Sequence, residues 1–122
     1  MPNDQLAKKK YDLEERTAKF GEEIIKFARK IPQNTITISL INQLVKAGTS
    51  VGANYCEADD AESKLDFKHK IGICKKESRE VKHWLRMIGV AVLEVKEETK
   101  ILWQEAKELN LIFNSIINKL KG

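Results

Sequence analysis

Apolar residues recur along most of the chain at alternating spacings of three and four. The pattern runs over residues 13–31, 41–58, 67–92 and 99–120, and each stretch can be drawn as one stripe on a helix. Such alternation predicts amphipathic α-helices that meet through a narrow apolar seam. Few prolines and glycines interrupt the stretches, so the pattern does not favour an all-β fold.

Boundary signals separate these four helices. A residue that caps a helix start accepts a hydrogen bond from a backbone N–H, and an acid three residues later strengthens the signal. The predicted caps are Asp12 with Glu15, then Thr35 or Thr37, then Ser63 with Asp66. Pro32 ends the first helix, and the break between the last two falls between Gly89 and Glu94.

Four helices with short connections predict an all-α, antiparallel up-down-up-down four-helix bundle. We assign residues 12–122 to this domain and residues 1–11 to a polar N-terminal tail or helical extension. At 122 residues, one domain with a real core is expected.

The balance of charge permits an acidic partner without requiring one. Lysine and arginine number 22 against 18 acids, which gives a net charge of +4 and a pI of about 9.0. Cys56 and Cys74 fit no disulfide framework and read as reduced thiols. No run of about 18 apolar residues and no signal peptide is apparent, so we expect a cytoplasmic protein that does not enter a membrane.

The stretch "TSVGANYCEADDAES" contains glycines that suggest a glycine-rich loop, but the apolar pattern on both sides of them predicts a helix. Gly48 and Gly52 match no phosphate-binding motif, and both fall within a stripe that continues on either side. Glycine weakens a helix by about 1 kcal/mol relative to alanine. We therefore interpret Gly48 and Gly52 as sites where another helix or another subunit approaches closely.

Catalytic and metal chemistry find little support in the sequence. A di-iron bundle needs two Glu-x-x-His motifs on different helices, whereas Glu80 with His83 is the one such motif here. His69 and His83 lie fourteen residues apart on the same helix, about 21 Å along its axis. Cys74 falls on an apolar stripe, which favours core packing over nucleophilic catalysis. We predict a non-enzymatic protein without metal or cofactor.

The third helix carries a row of cations beside its apolar stripe. Their spacings of 7, 4, 3 and 4 place them on one flank of the helix, and they are Lys68, Lys75, Arg79, Lys82 and Arg86. Such a row can follow a phosphate backbone. The alternative is a solvated face whose aliphatic stems cover the edge of the core. The sequence leaves both interpretations open.

Three further residues are candidates for an interface. Trp84 lies beside the stripe of the third helix, where a large aromatic side chain either anchors a subunit contact or widens the core. Asn54 and Glu57 flank the second stripe and are candidates for a buried or interfacial hydrogen-bond network, with Glu77 as a further member.

The segments "DLEERTAKF", "QLVKAGTSVGANYCEA" and "FKHKIGICKKESREVKHWL" resemble the four-helix-bundle family of 23S rRNA intervening-sequence proteins, over roughly residues 12–90. The most specific part is "GTSVGAN-x-x-EA", residues 48–58. The resemblance implies a small cytoplasmic bacterial protein that forms a ring-shaped homopentamer. A related branch, the accessory variability determinant of diversity-generating retroelements, resembles a basic barrel that binds a reverse transcriptase and nucleic acid. No catalytic residues are implied.

The chain departs from that family where Lys46 and Cys56 replace common arginines and where Asp59 and Asp60 replace basic or amide residues. This end is therefore less basic than in many relatives. We predict a homo-oligomer that binds RNA, or DNA, through the row of cations on the third helix. The second hypothesis is a scaffold that docks a protein such as a polymerase.

Overall fold

The computed structural model describes the backbone of residues 2–121 and the side chains of residues 13–121. Four long helices account for nearly all of this chain. They are α1 (Pro2–Arg29), α2 (Thr35–Asp59), α3 (Lys64–Ala91) and α4 (Lys96–Lys121), with a short 3₁₀ turn at Leu93–Val95 between α3 and α4. The prediction of an all-α fold is confirmed.

The helices form an antiparallel up-down-up-down bundle in which each helix packs against the next along the chain. The contacts of α3 with α2 and with α4 are the most extensive, and those between α1 and α4 are the fewest. The short connections enforce this order, because they are too short to carry the chain across the bundle from one helix to the next. Helix α3 is consequently the most enclosed of the four, with neighbours on both flanks.

The core follows the predicted stripes. Phe113, Leu85, Ile24, Leu44 and others are fully buried, while the outermost stripe residue, Leu120, is 37% exposed in the last turn of α4. Four hydroxyl-bearing residues are also buried among the described side chains: Thr17, Ser78 and Thr99 lie on the stripes, and Thr37 lies one turn before the second stripe. Each donates a hydrogen bond to a backbone carbonyl of its own segment, which removes the cost of burying it.

The helix ends agree only in part with the predicted caps. Ser63 caps α3 by accepting a hydrogen bond from the backbone N–H of Asp66 at 3.0 Å. The cap of α2 is Asn34, not a threonine: its Oδ1 accepts from the backbone of Thr37, whose hydroxyl accepts in return from the N–H of Asn34. Together, the Asn34 and Thr37 side chains accept hydrogen bonds from backbone N–H groups at the start of α2 that either side chain alone would leave without an acceptor.

Helix α1 begins at Pro2, so the predicted start at Asp12 is wrong. The residues before Asp12 are mostly lysine, alanine, leucine and glutamine, all good helix formers, and nothing there forces a break. The side chain of Asp12 lies outside the described residues. The division into a tail of residues 1–11 and a bundle of residues 12–122 stays a prediction.

Candidate nucleic-acid interface

The row of five cations on α3 lies at the surface with its aliphatic stems against the bundle. Arg79 and Arg86 are exposed, and Lys68, Lys75 and Lys82 are half-buried. Within residues 13–121, none of the five forms a salt bridge with a carboxylate. Their charges are therefore available to an anion from outside the described chain.

Contacts with α4 show which way this row faces. The Lys82 ammonium lies 5.5 Å from the centre of the Trp103 ring, and the Lys107 ammonium lies 5.7 Å from the same ring. Two turns from the Trp103 contact, the Asn110 amide donates a 2.8 Å hydrogen bond to the carbonyl of Lys75. The row thus borders α4, and Trp103 and Lys107 extend the basic surface across the groove between the two helices.

Sequence reasoning missed this extension. Neither Trp103 nor Lys107 is among the residues that the sequence pattern assigns to a site. A signal did exist, because Trp103 and Lys107 stand four residues apart and so share one face of a helix. Only the packing of α3 against α4 brings that face beside Lys82.

A groove of about 580 Å³ opens at the Arg86 end of the row, between the last turns of α3 and the first turns of α4. Its walls are the apolar side chains of Leu85, Val90 and Leu93 and the indole of Trp103. Three cations also line it, namely Arg86, Lys96 and Lys100. The basic surface therefore ends in an apolar depression surrounded by positive charge.

The acids on the opposite flank of α4 are directed to α1. Arg16 donates hydrogen bonds to both carboxylate oxygens of Glu105, at 2.7 and 2.8 Å, and a longer one to Glu108 at 3.4 Å. The hydrogen bond from Arg16 to Glu105 raises the pKa of the guanidinium. Lys30, the residue after α1, pairs with Glu98 of α4. These acids do not neutralise the α3–α4 surface.

The glycines lie at a contact between helices of the same chain. A Cβ at Gly48 would lie 2.9 Å from Cγ2 of Ile24, and one at Gly52 would lie 3.3 Å from the carbonyl oxygen of Thr17. Both partners belong to α1. Close approach of α1 to α2 therefore accounts for both glycines without a second subunit.

The expected network around Asn54 and Glu57 does not form among the described residues. Asn54 donates to the hydroxyl and carbonyl of Ser50, one turn earlier on the same helix. Glu57 is largely exposed and pairs with Lys70 at 3.2 Å. Glu77 lies apart from both: burial, and then the nearby carboxylate of Glu80, raises its pKa. A shared network fails because these side chains project to different neighbours.

Trp84 is half-buried and packs against the core, with the His83 ring edge-on at 4.9 Å between ring centres. Trp84 follows Lys75 by nine residues, about two and a half turns, which places it on the flank of α3 opposite to the cation row and on the side of Glu77. Its predicted role as a subunit contact remains a prediction.

The cysteines have the environment of unreactive thiols. Burial raises the pKa of the Cys74 thiol to about 12, and its Sγ lies 3.5 Å from the carbonyl oxygen of Val51. Cys56 is exposed, and partial burial together with Glu14 and Asp59 raises its pKa. A catalytic thiol requires the opposite shift. Within the described residues, no three potential metal ligands cluster, and none of the helices is long and apolar enough to cross a membrane.

Fold and surface together define an antiparallel four-helix bundle with one basic face and no recognisable catalytic constellation among its described side chains. The chain belongs to the family of 23S rRNA-intervening sequence proteins, which it matches over residues 9–119. Among solved structures, it is similar to a protein of unknown function from the S23 ribosomal protein family of Bacteroides thetaiotaomicron. The two share 26% identity, with a TM-score of 0.82, over 90% of this chain and 98% of the other. No curated protein gives a significant match.

Proposed function

We propose that this protein is a non-enzymatic, homo-oligomeric nucleic-acid-binding protein that binds RNA through the surface formed by α3 and α4. The observation that carries the proposal is the row of five cations on α3, none of which has a salt-bridge partner within residues 13–121. Membership of a family associated with 23S rRNA genes favours RNA over DNA as the ligand.

Geometry supports a phosphate backbone as the ligand of this row. The first and last of the five cations are eighteen residues apart on a rigid helix, about 27 Å, so the row can meet several phosphates along one strand. The half-buried stems of Lys75 and Lys82 restrict their ammonium groups, which lowers the entropy lost on binding. Such contacts position the nucleic acid but do not read its sequence.

Fluorescence anisotropy with a labelled RNA at two salt concentrations tests the proposal. If all five cations contact phosphates, raising salt from about 50 to 200 mM should weaken binding by about a hundredfold or more. Absence of binding at the lower salt would overturn the proposal. Replacing Lys75, Arg79 and Lys82 together by glutamate should weaken binding of every RNA tested, without a change in sequence preference.

The matched control reverses three exposed cations of α1, Lys19, Lys26 and Arg29, and so changes the net charge by the same amount. If the α1 variant loses as much affinity as the α3 variant, binding depends on total charge and the assigned surface is wrong. Thermal melts of both variants exclude loss of the fold as the cause.

Self-association is supported by apolar side chains at one end of the bundle. Ile36 is 66% exposed, and it lines one groove between α2 and α3 together with Leu40 and Met87. Scattered apolar residues are ordinary on a protein surface, but adjacent ones favour an interface. We propose a ring of five copies, as the family resemblance implies, with Trp84 as a further contact.

Light scattering after gel filtration measures the assembly directly. We expect a mass of about five chains, and a mass of 14.0 kDa would contradict it. Replacing Ile36 by lysine should dissociate the assembly, whereas the same change at Leu65, which is 78% exposed at the other end of α3, should not.

The same apolar end supports the second candidate function, a scaffold that docks a protein partner. A pull-down whose protein partner persists after nuclease treatment and is lost in Ile36→Lys would favour it. A partner that nuclease removes would instead support binding through nucleic acid.

A further inference from the structure

We propose that the groove between the end of α3 and the start of α4 binds one unpaired nucleotide, with the base against Trp103 and the phosphate on the surrounding cations. This inference rests on the proposed function and adds to it: the surface would distinguish single-stranded from double-stranded nucleic acid. The row on α3 alone would not, since phosphates are present in both.

The groove has the size and the walls of a small-molecule site. Its volume of about 580 Å³ lies within the usual range for such pockets. Leu85 is fully buried beneath it, and Val90 and Leu93 border it with 73% and 70% of their surface exposed. Gly89 also lines the groove, where an added Cβ would come within 3.2 Å of the Thr99 hydroxyl. A residue with a side chain there would crowd the junction of the two helices.

Trp103 supplies the aromatic wall on which a base can stack. Aromatic stacking contributes about 1–3 kcal/mol per base in single-strand binding and tolerates any base. The ammonium groups of Lys82 and Lys107 lie within 6 Å of the same ring, at 5.5 and 5.7 Å. Both ammonium groups lie over the ring, so a stacking base would displace one of them from the ring face, and its charge would then be available to the phosphate where the strand enters from the cation row.

Three cations favour an anionic ligand over an uncharged one. Within the described part of the chain, Arg86 and Lys96 have no carboxylate partner, and Lys100 pairs only with Glu97, at 3.2 Å, where both side chains are more than half exposed. An exposed pair of this kind is weak and readily exchanged. A purely apolar occupant would leave Arg86 and Lys96 without a counter-charge.

The groove also joins the cation row at a suitable place. Arg86 is both the last member of the row and a wall of the groove. A strand that follows the row therefore reaches the groove without a turn in its backbone. Only an unpaired base can enter, because a base within a duplex is stacked and paired, and extracting it costs a few kcal/mol.

The test compares a ten-nucleotide uridine oligomer with a fully paired hairpin of equal phosphate number whose loop is a non-nucleotide linker, using Trp103→Leu and Trp103→Phe. Leucine keeps apolar volume but removes the aromatic ring, and phenylalanine retains a ring. We expect the oligomer to bind wild type more tightly than the hairpin, Trp103→Leu to weaken the oligomer about tenfold and the hairpin little, and Trp103→Phe to recover most of the loss.

A second pair of variants tests the cations. Arg86→Gln with Lys96→Gln should weaken the oligomer more than Lys19→Gln with Lys26→Gln, which removes the same charge from α1. Equal losses from the two pairs would overturn the assignment of the phosphate to the groove.

Failure of this inference can be separated from failure of the proposed function. If oligomer and hairpin bind equally and Trp103→Leu affects neither, the nucleotide site is wrong while the cation row stands. Uridine monophosphate provides an independent probe: in the wild-type protein, its titration should shift the NMR signal of the Trp103 indole N–H and leave that of Trp84 in place. A Trp103 signal that responds to protein concentration but not to the nucleotide would identify a second copy as the occupant and overturn the proposal.

Discussion

The contact between α1 and α2 predicts that adding a single methyl group at Gly48 destabilises the bundle. The Cβ of alanine would lie 2.9, 3.0 and 3.1 Å from Cγ2, Cγ1 and Cβ of Ile24. Ile24 is 0% exposed, and its β-branched side chain has essentially one rotamer in a helix. Neither side chain nor backbone can therefore yield cheaply.

The magnitude follows from two opposed terms. Alanine gains about 1 kcal/mol over glycine within a helix, and no glycine in the described chain has a positive φ that would forbid it. Overpacking a well-filled core costs about 1–3 kcal/mol. Contact with three atoms of a fully buried neighbour places the overpacking cost of Gly48→Ala near the upper end of this range. The net loss in the free energy of unfolding is therefore about 2 kcal/mol. At about 4 °C per kcal/mol for a domain of this size, Tm falls by about 8 °C.

Urea denaturation followed by circular dichroism measures the change, with Gly72→Ala as the matched control. Gly72 lies within α3, and an added Cβ there meets nothing within 4 Å, so alanine should stabilise by about 1 kcal/mol. If Gly48→Ala is as stable as Gly72→Ala, the crowding argument fails. The double variant with Ile24→Ala is sharper still: once the space is open, alanine at position 48 should no longer destabilise.

Four further tests follow from the structure. Asn34→Ala removes the reciprocal cap of α2 and should cost about 1 kcal/mol in urea denaturation; an unchanged midpoint would show that the cap contributes nothing. Because the pair is partly exposed, Arg16→Gln and Glu105→Gln should each cost about 0.5–1 kcal/mol. The double variant should cost less than their sum, because either single change already removes the shared ion pair; strict additivity would contradict it. Ellman's reagent should label Cys56 in the folded protein and Cys74 only after unfolding, and equal labelling rates would refute the burial of Cys74. Since the pKa of Cys74 is raised from 9.0 to about 12, the unfolded chain loses this proton first, and the free energy of unfolding should fall as pH rises from about 9 toward 12.

The spacing of apolar residues was sufficient to predict the fold because it reports a local property. A residue such as Leu85 or Phe113 lies on a stripe whichever helix comes next, and short connections leave one sensible order of helices. Gly48 could be read in the same way, since a glycine that persists inside a stripe implies a close neighbour. The identity of that neighbour, Ile24, required the structure.

The interface was less accessible to sequence reasoning because it depends on how two helices are rotated against each other. The row on α3 was apparent from its spacing, but the position of Trp103 beside Lys82 was not. Asn54 and Glu57 illustrate the converse: their proximity in sequence suggested a shared network, yet one bonds to its own helix and the other to α3. The start of α1 was missed because a plausible cap at Asp12 also occurs inside a continuous helix.

Net charge understates the potential over the α3–α4 surface because α4 separates the two signs. On its α1 side, Glu105 is paired with Arg16 of α1 and Glu98 with Lys30, the residue after α1, so their negative charge is largely compensated there. On its α3 side, Lys107 and Lys96 add to the five cations of the row. Potentials near a surface depend on charges within about one Debye length, about 8–10 Å in physiological salt. An anion approaching α3 and α4 therefore meets a field set by the cations of those helices, and a protein of net charge +4 can present a strongly basic face.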